Sequence, residues 1–289
     1  MTTGLDDGGR RLGIDELGRG EPALLLLTGW CSSRARWGLA APLLAASRRV
    51  VNFEWRGHGD SAPADGDFGL EELVHDALAV VAATDLQRFI PCAASHSGWV
   101  AIELRRRLGN RVPAIVHLDW MMTEPSSRYM ELIGDLRSGR RWPRARDALF
   151  EIWRAGDERP EISDALDVMK RQDGDMWMRS GREIEASYRR HSSPLRVLAA
   201  LVPPPRVLHV YGQPASHEYL DAQQQFAASH SWFTVRPLPA RTHFSMLETP
   251  AEVAATIEEF ASMVAELSTT SGGRRRDQET NAPGRARRP

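Results

Sequence analysis

Unbroken apolar runs recur along the chain, and most are followed by a glycine-bearing loop. ALLLLTGW at residues 23–30 is the clearest: five apolar positions, then Thr-Gly. A run with no alternation is a strand buried on both faces, and its abrupt end is the entry to a loop. RRVVNFEWRGHGDS (48–61) repeats the format, and so do FIPCAA (89–94), AIVHLDWMM (114–122), PPRVLHVYGQ (204–213) and WFTVRPLP (232–239). LEELVHDALAVVAAT (70–84) instead carries its apolar residues at helical spacing, and WVAIELRRRL follows the strand at 89–94 as a helix. Strands alternating with helices predict an α/β fold built on a mostly parallel, doubly wound sheet.

Residues 123–200 break this rhythm. They are helical in period, rich in Arg and Trp (Trp142, Trp153, Trp177), and contain no strong strand. This segment reads as a helical cap inserted into a core made of 1–122 and 201–267, with a last helix from about Pro250 to Leu267. The first twenty residues are polar and Gly-rich, with a weak strand-like patch near Leu12–Leu17. Residues 268–289 are poor in apolar side chains and rich in Gly, Pro and Arg, which predicts a disordered tail.

Composition narrows the function classes. A chain of 289 residues that is 42% apolar can bury a sizeable core. A net charge of −1 points to neither a nucleic-acid nor a membrane partner. The two cysteines, Cys31 and Cys92, define no disulfide framework, and the polar N-terminus reads as no secretory leader, so the expected location is the cytoplasm. The nine His residues show no HExxH or paired Cys/His spacing, and no GxGxxG or Walker loop occurs, so no metal or cofactor is expected. Nothing in the sequence sets an oligomeric state.

The candidate chemistry lies at the strand ends. Ala93-Ala94-Ser95-His96-Ser97-Gly98 joins a strand to a helix, and Ser95 has a small residue two positions away on each side. That is the requirement of a strained nucleophile elbow, although Ala93 and Ser97 replace its usual glycines. Thr28-Gly29-Trp30 ends the strand expected beside it, so the amides of Trp30 and His96 are candidate oxyanion donors. His243 lies in the loop after the last strand, where the base of this arrangement belongs. The acid normally follows the strand HVYGQ, but GQPASHEY (212–219) offers only Glu218. Asp119, ending the strand VHLD, faces the same crevice and is favoured over Glu218 as the carboxylate that holds the His243 ring. The order Ser…Asp…His fits an α/β-hydrolase fold. WRGHGDS (55–61) resembles a turn signature of that fold, which makes His58 a surface-loop residue rather than a catalyst.

With these motifs in hand, the chain resembles the cofactor-free dioxygenases that cleave the ring of 3-hydroxy-4(1H)-quinolones. The matching segments are LLLTGWC (25–31), NFEWRGHGDS (52–61), SHSGWV (95–100), LDWMM (118–122), LFEIW (149–153), WMRSGREIEASY (177–188) and THF (242–244). The resemblance implies a small-molecule quinolone substrate and O2, with no metal and no flavin. It implies that His243 and Asp119 take the 3-hydroxyl proton, that Ser95 orients the substrate, and that ring opening releases CO and leaves an N-acylanthranilate. It also implies a pocket walled by Trp30, His96, Met122, Trp153 and Trp177. Ala94 and Ser32 stand where members acting on quinaldine-type substrates carry His, which suggests a roomier pocket and a longer 2-alkyl chain. A serine hydrolase using Ser95, His243 and Asp119 is the competing reading, and an inactive quinolone-binding protein is a third.

Overall fold

A computed structural model describes the backbone of residues 2–5, 9 and 11–280, and side-chain surroundings for 9 and 11–267. Its strands are β1 (Thr2–Leu5), β2 (Arg11–Leu17), β3 (Ala23–Leu27), β4 (Val50–Phe53), β5 (Phe89–Ala94), β6 (Ala114–Leu118), β7 (Arg206–Tyr211) and β8 (Phe233–Pro237). They form one sheet in the order β1-β2-β4-β3-β5-β6-β7-β8. The β1–β2 and β2–β4 pairs are antiparallel, and every pair from β4 to β8 is parallel. All residues of β3, β4, β5 and β6 are buried, as expected of unbroken apolar runs covered on both faces.

Helices α1 (Ala40–Leu44), α2 (Leu70–Ala83) and α3 (Gly98–Leu108) connect the central strands. From β3 the chain crosses by α1 toward β4, whereas from β5 it crosses by α3 the other way, toward β6. The direction of winding therefore reverses between β3 and β5. A crevice opens at the C-terminal ends of strands at such a reversal, and ligands bind there. Gly29 and Ser95 follow those two strands.

Between β6 and β7 lie α4 (Ser127–Leu136), α5 (Trp142–Arg154), α6 (Pro160–Lys170), α7 (Gly174–His191) and α8 (Pro194–Ala199), with no strand among them. Their starts are well marked. Ser126, Asp173 and Ser193 accept hydrogen bonds from the first-turn amides of α4, α7 and α8, and α5, α6 and α8 carry Pro in their first two positions. Helix α4 packs on α7, and α5 touches both. The chain closes with α9 (His217–Ser229), α10 (Ser245–Glu248) and α11 (Pro250–Thr280).

Some expectations change. Helix α11 does not stop near Leu267, because its backbone continues to Thr280; the remainder of the expected tail lies outside the described residues. Strand β1 and helices α1 and α9 have no counterpart in the sequence reading. No helix among the described residues is long and apolar enough to cross a membrane.

Candidate active site

Ser95 is forced into an unusual backbone. It sits at the junction of β5 and α3 with φ +56°, in the left-handed region that L-residues avoid. Small neighbours permit the turn: Ala93 is fully buried, and the Ser97 hydroxyl folds back to donate to the Ala94 carbonyl at 2.8 Å. Behind it, a Cβ on Gly98 would stand 2.2 Å from the Trp120 ring, so only glycine lets α3 start this close to the strand end after β6. On the other side, a Cβ on Gly29 would stand 3.4 Å from Ser95 Cβ, which places the loop after β3 against the elbow.

The base approaches from the loop after β8. His243 Nε2 lies 3.2 Å from Ser95 Oγ. The imidazole stacks on Trp153 of α5, with ring centroids 5.2 Å apart and planes 19° apart, and the His243 amide donates to the Trp153 carbonyl at 2.8 Å. Burial, reinforced by the Arg36 guanidinium, holds the His243 pKa well below 6.5. The ring is therefore neutral at physiological pH and able to accept a proton.

Asp119 directly follows β6, with φ +46°, and is 1% exposed. It does not hold the His243 ring, as the sequence reading expected. Its oxygens are occupied: Oδ1 accepts from the Gly212 amide at 2.8 Å, and Oδ2 accepts from the Ser245 amide at 3.0 Å and the Ser245 hydroxyl at 2.6 Å. No hydrogen bond joins the Asp119 carboxylate to the imidazole among the described residues. The carboxylate instead pins the chain two residues beyond the base. Burial raises its pKa, against the lowering pull of Ser245, Gly212 and Arg36. Glu218, the alternative acid, is exposed on the first turn of α9.

Over this floor the cap encloses a cavity of about 460 Å³. That is within the range of small-molecule sites. Ser95, His96, His243 and Trp30 line its lower part; Tyr129, Ile133 and Leu136 of α4 line its upper part, as do Trp153 and Trp177. His96 is buried, and desolvation drives its pKa down to about 3 against a weaker opposing pull from the Glu183 backbone. Neither of its ring nitrogens meets a partner in good hydrogen-bonding geometry among the described residues.

Residues 24–256 match the model of the alpha/beta hydrolase family. The chain is 36% identical over 236 residues to the 2-heptyl-3-hydroxy-4(1H)-quinolone dioxygenase of Mycobacteroides abscessus, covering 81% of this chain and 88% of that protein. It is 36% identical over 244 residues to the 1H-3-hydroxy-4-oxoquinoline 2,4-dioxygenase of Pseudomonas putida, covering 83% and 91%. Among solved structures, an AqdC variant in complex with its substrate, from work on recognition and ring-cleavage of the Pseudomonas quinolone signal, superposes with TM-score 0.85 at 34% identity, over 92% of this chain and 99% of that one. The chain belongs to the 3-hydroxy-4-quinolone 2,4-dioxygenases.

In this quinolone dioxygenase the expected wall residues Trp30, His96, Trp153 and Trp177 do face the cavity, but Met122 does not. Met122 is fully buried, with its amide donating to the Tyr219 hydroxyl at 2.9 Å, and Met121 lines the space instead. His58 is no surface residue either. It is 0% exposed, with Nε2 accepting from the Cys31 amide at 3.0 Å and Nδ1 set against the Arg56 carbonyl at 2.9 Å. The dioxygenase uses it to brace the loop that carries Trp30. The sequence reading missed Arg36, Tyr129 and Tyr188, all on the cavity wall. Arg36 lies six residues past Trp30, in a stretch whose other arginine, Arg34, is tied into a salt-bridge cluster with Asp15, Glu54 and Asp60. No sequence signal separates the two.

Proposed function

We propose that this protein opens the heterocycle of 2-alkyl-3-hydroxy-4(1H)-quinolones with O2, releasing CO and an N-acylanthranilate. The observation that carries the reading is a neutral imidazole, that of the half-buried His243, 3.2 Å from the Ser95 hydroxyl on the floor of a roofed, largely apolar cavity. His243 takes the substrate 3-hydroxyl proton. The resulting anion is delocalised onto C2, where a bond to O2 forms. The distal peroxide oxygen then attacks C4, and the O–O, C2–C3 and C3–C4 bonds break together. C3 leaves as CO with the original 3-oxygen, and each oxygen atom of O2 stays in the product, one on C2 and one on C4. One quinolone and one O2 therefore account for every atom and electron, and the substrate is its own reductant. The reaction needs no electrons from a metal or flavin, so cofactor independence is part of the proposal. Ser95 hydrogen-bonds the substrate without attacking it. The amides of Trp30 and His96 are the proposed donors to the developing oxyanion.

The 2-alkyl chain is assigned to the space under α4, where Tyr129, Ile133 and Leu136 fall on one helical face. The named activities of the relatives support such a substrate. Removal of a long-chain quinolone signal, and hence interference with signalling between cells, follows as the proposed biological consequence. The test is to supply 2-heptyl-3-hydroxy-4(1H)-quinolone to chelator-treated protein in air. O2 uptake, CO and N-octanoylanthranilate should appear in equal amounts, at the rate of untreated protein. Loss of turnover that a specific metal restores would contradict the proposal.

The positive-φ serine within reach of His243 is also the geometry of a serine hydrolase, so ester hydrolysis is the second reading. Parallel assay with p-nitrophenyl acetate weighs the two, and slow or no ester turnover is expected.

A further inference from the structure

We propose that Arg36 stabilises the negative charge of the ionised substrate and of its oxygen adduct, in addition to fixing the base loop. The proposal rests on the ring-cleavage reading above. Arg36 is 3% exposed, an uncommon place for a guanidinium, yet it lines the cavity. Two of its nitrogens are committed to the base loop. Nη2 donates to the His243 carbonyl, and Nε points at Met246 Sδ at 3.4 Å. The guanidinium lies over the Phe244 ring, 4.6 Å from its centroid. Nη1 makes no hydrogen bond among the described residues. It reaches to 3.9 Å from where a Gly29 Cβ would be, and that same point is 3.4 Å from Ser95 Cβ. An uncommitted N–H of a buried cation thus faces the crevice between the loop after β3 and the elbow, where the reacting oxygens are proposed to lie.

Charge accounting supports this role. Asp119 is the carboxylate that acts on the guanidinium from the β6 side, but its oxygens are taken by Gly212 and Ser245. On the far side, Glu161 and Asp164 of α6 share a small pocket with Arg36. Arg241 also lines the main cavity, from an exposed position. The Arg36 guanidinium is tied to the His243 carbonyl, and the same positive charge that lowers the imidazole pKa favours an anion next to it. Proton transfer from substrate to His243 moves positive charge onto the base. The cation–anion contact with Arg36 keeps that transfer from being uphill in a largely apolar cavity.

The test uses Arg36→Gln, which can still donate to the His243 carbonyl without a charge, and Arg36→Lys, which keeps the charge. Absorbance titration of bound 2-heptyl-3-hydroxy-4(1H)-quinolone without O2 reports ionisation of the 3-hydroxyl. In the wild type it should titrate at least about one pH unit below the free compound. Arg36→Gln should cancel most of that shift and lose roughly 10- to 100-fold in kcat/KM, the cost of one charged hydrogen bond. Arg36→Lys should keep the shift and lose less. A Gln variant within about threefold of wild type, or one that loses rate with the bound titration unmoved, would overturn the proposal. Should the Gln variant not fold, the wild-type titration decides: a bound pH midpoint equal to that of the free compound overturns the proposal. A wild type that binds but turns over no quinolone in air would sink the ring-cleavage reading instead.

Discussion

At the scale of single residues, His243 and Ser95 separate the two chemistries that their geometry permits. His243→Ala should lose roughly 10²–10⁴-fold in quinolone turnover, the usual worth of general-base catalysis. Turnover within a few-fold of wild type would remove the base assignment. Ser95→Ala should retain measurable ring cleavage, down about one to two decades, because an oxygenase loses one hydrogen bond of about 1.5–3 kcal/mol to a charged group. A hydrolase would lose its nucleophile, so a dead Ser95→Ala variant together with an acyl-Ser95 adduct in mass spectra would favour that chemistry. The pH profile gives an independent check. Since burial and Arg36 keep the His243 pKa well below 6.5, the base stays deprotonated as pH falls from about 7.5 to about 6. The kcat/KM of the wild type should then show no loss over that interval from imidazole protonation.

At the scale of elements, the ends of β6 and α4 carry the clearest consequences. Asp119 ties the strand end after β7 to the start of α10 through three donors. Asp119→Asn would turn one acceptor into an N–H that meets another N–H or hydroxyl, leaving a buried donor unpaired at a cost of about 1–3 kcal/mol. It should lower both stability and turnover, while Glu218→Gln on exposed α9 should change neither; thermal melts and initial rates on both variants decide it. On α4, Ile133→Trp should fill the space assigned to the alkyl chain. The ratio of kcat/KM for 2-heptyl over 2-methyl substrate should fall, and an unchanged ratio would place the chain elsewhere. The same elements show what was legible beforehand. Buried runs such as ALLLL read directly as strands because burial on both faces leaves no other pattern, and the elbow was visible from the small residues around Ser95. Strand β1 was not, since TTGL is short and its partner, β2, is itself only half buried. Met121 and Met122 could not be told apart without knowing how the chain turns as it leaves β6. His58 looked exposed because its segment is rich in glycine, yet the acceptor it supplies to Cys31 draws it inside. Arg36 has no local signature at all, because its partners at 243, 244 and 246 are far away in sequence.

For the molecule as a whole, buried histidines set the acid limit. Burial lowers the pKa of His58 and His209 to about 4 and of His96 to about 3, and holds those of His117 and His243 well below 6.5. Unfolding restores ordinary values near 6.5, so below that pH the unfolded chain binds protons that the folded one refuses. The stabilising contribution is therefore whole above about pH 6.5 and is lost as pH falls toward the folded values. Uptake of only two protons on unfolding gives a slope of about 2.7 kcal/mol per pH unit, a large share of a typical stability of about 5–15 kcal/mol. Urea unfolding should show a much lower midpoint at about pH 5.5 than at about pH 7.5, and equal midpoints would show that these rings are not held neutral. The cap adds a different kind of constraint. The Trp153 carbonyl accepts from the His243 amide, and the Gln213 side chain bridges the carbonyls of Ile152, Trp153 and Arg241. Helix α5 therefore cannot lift without pulling on the strap that carries the imidazole. Roof and base are thus fastened at one point, the Trp153 carbonyl, and whatever loosens the one loosens the other.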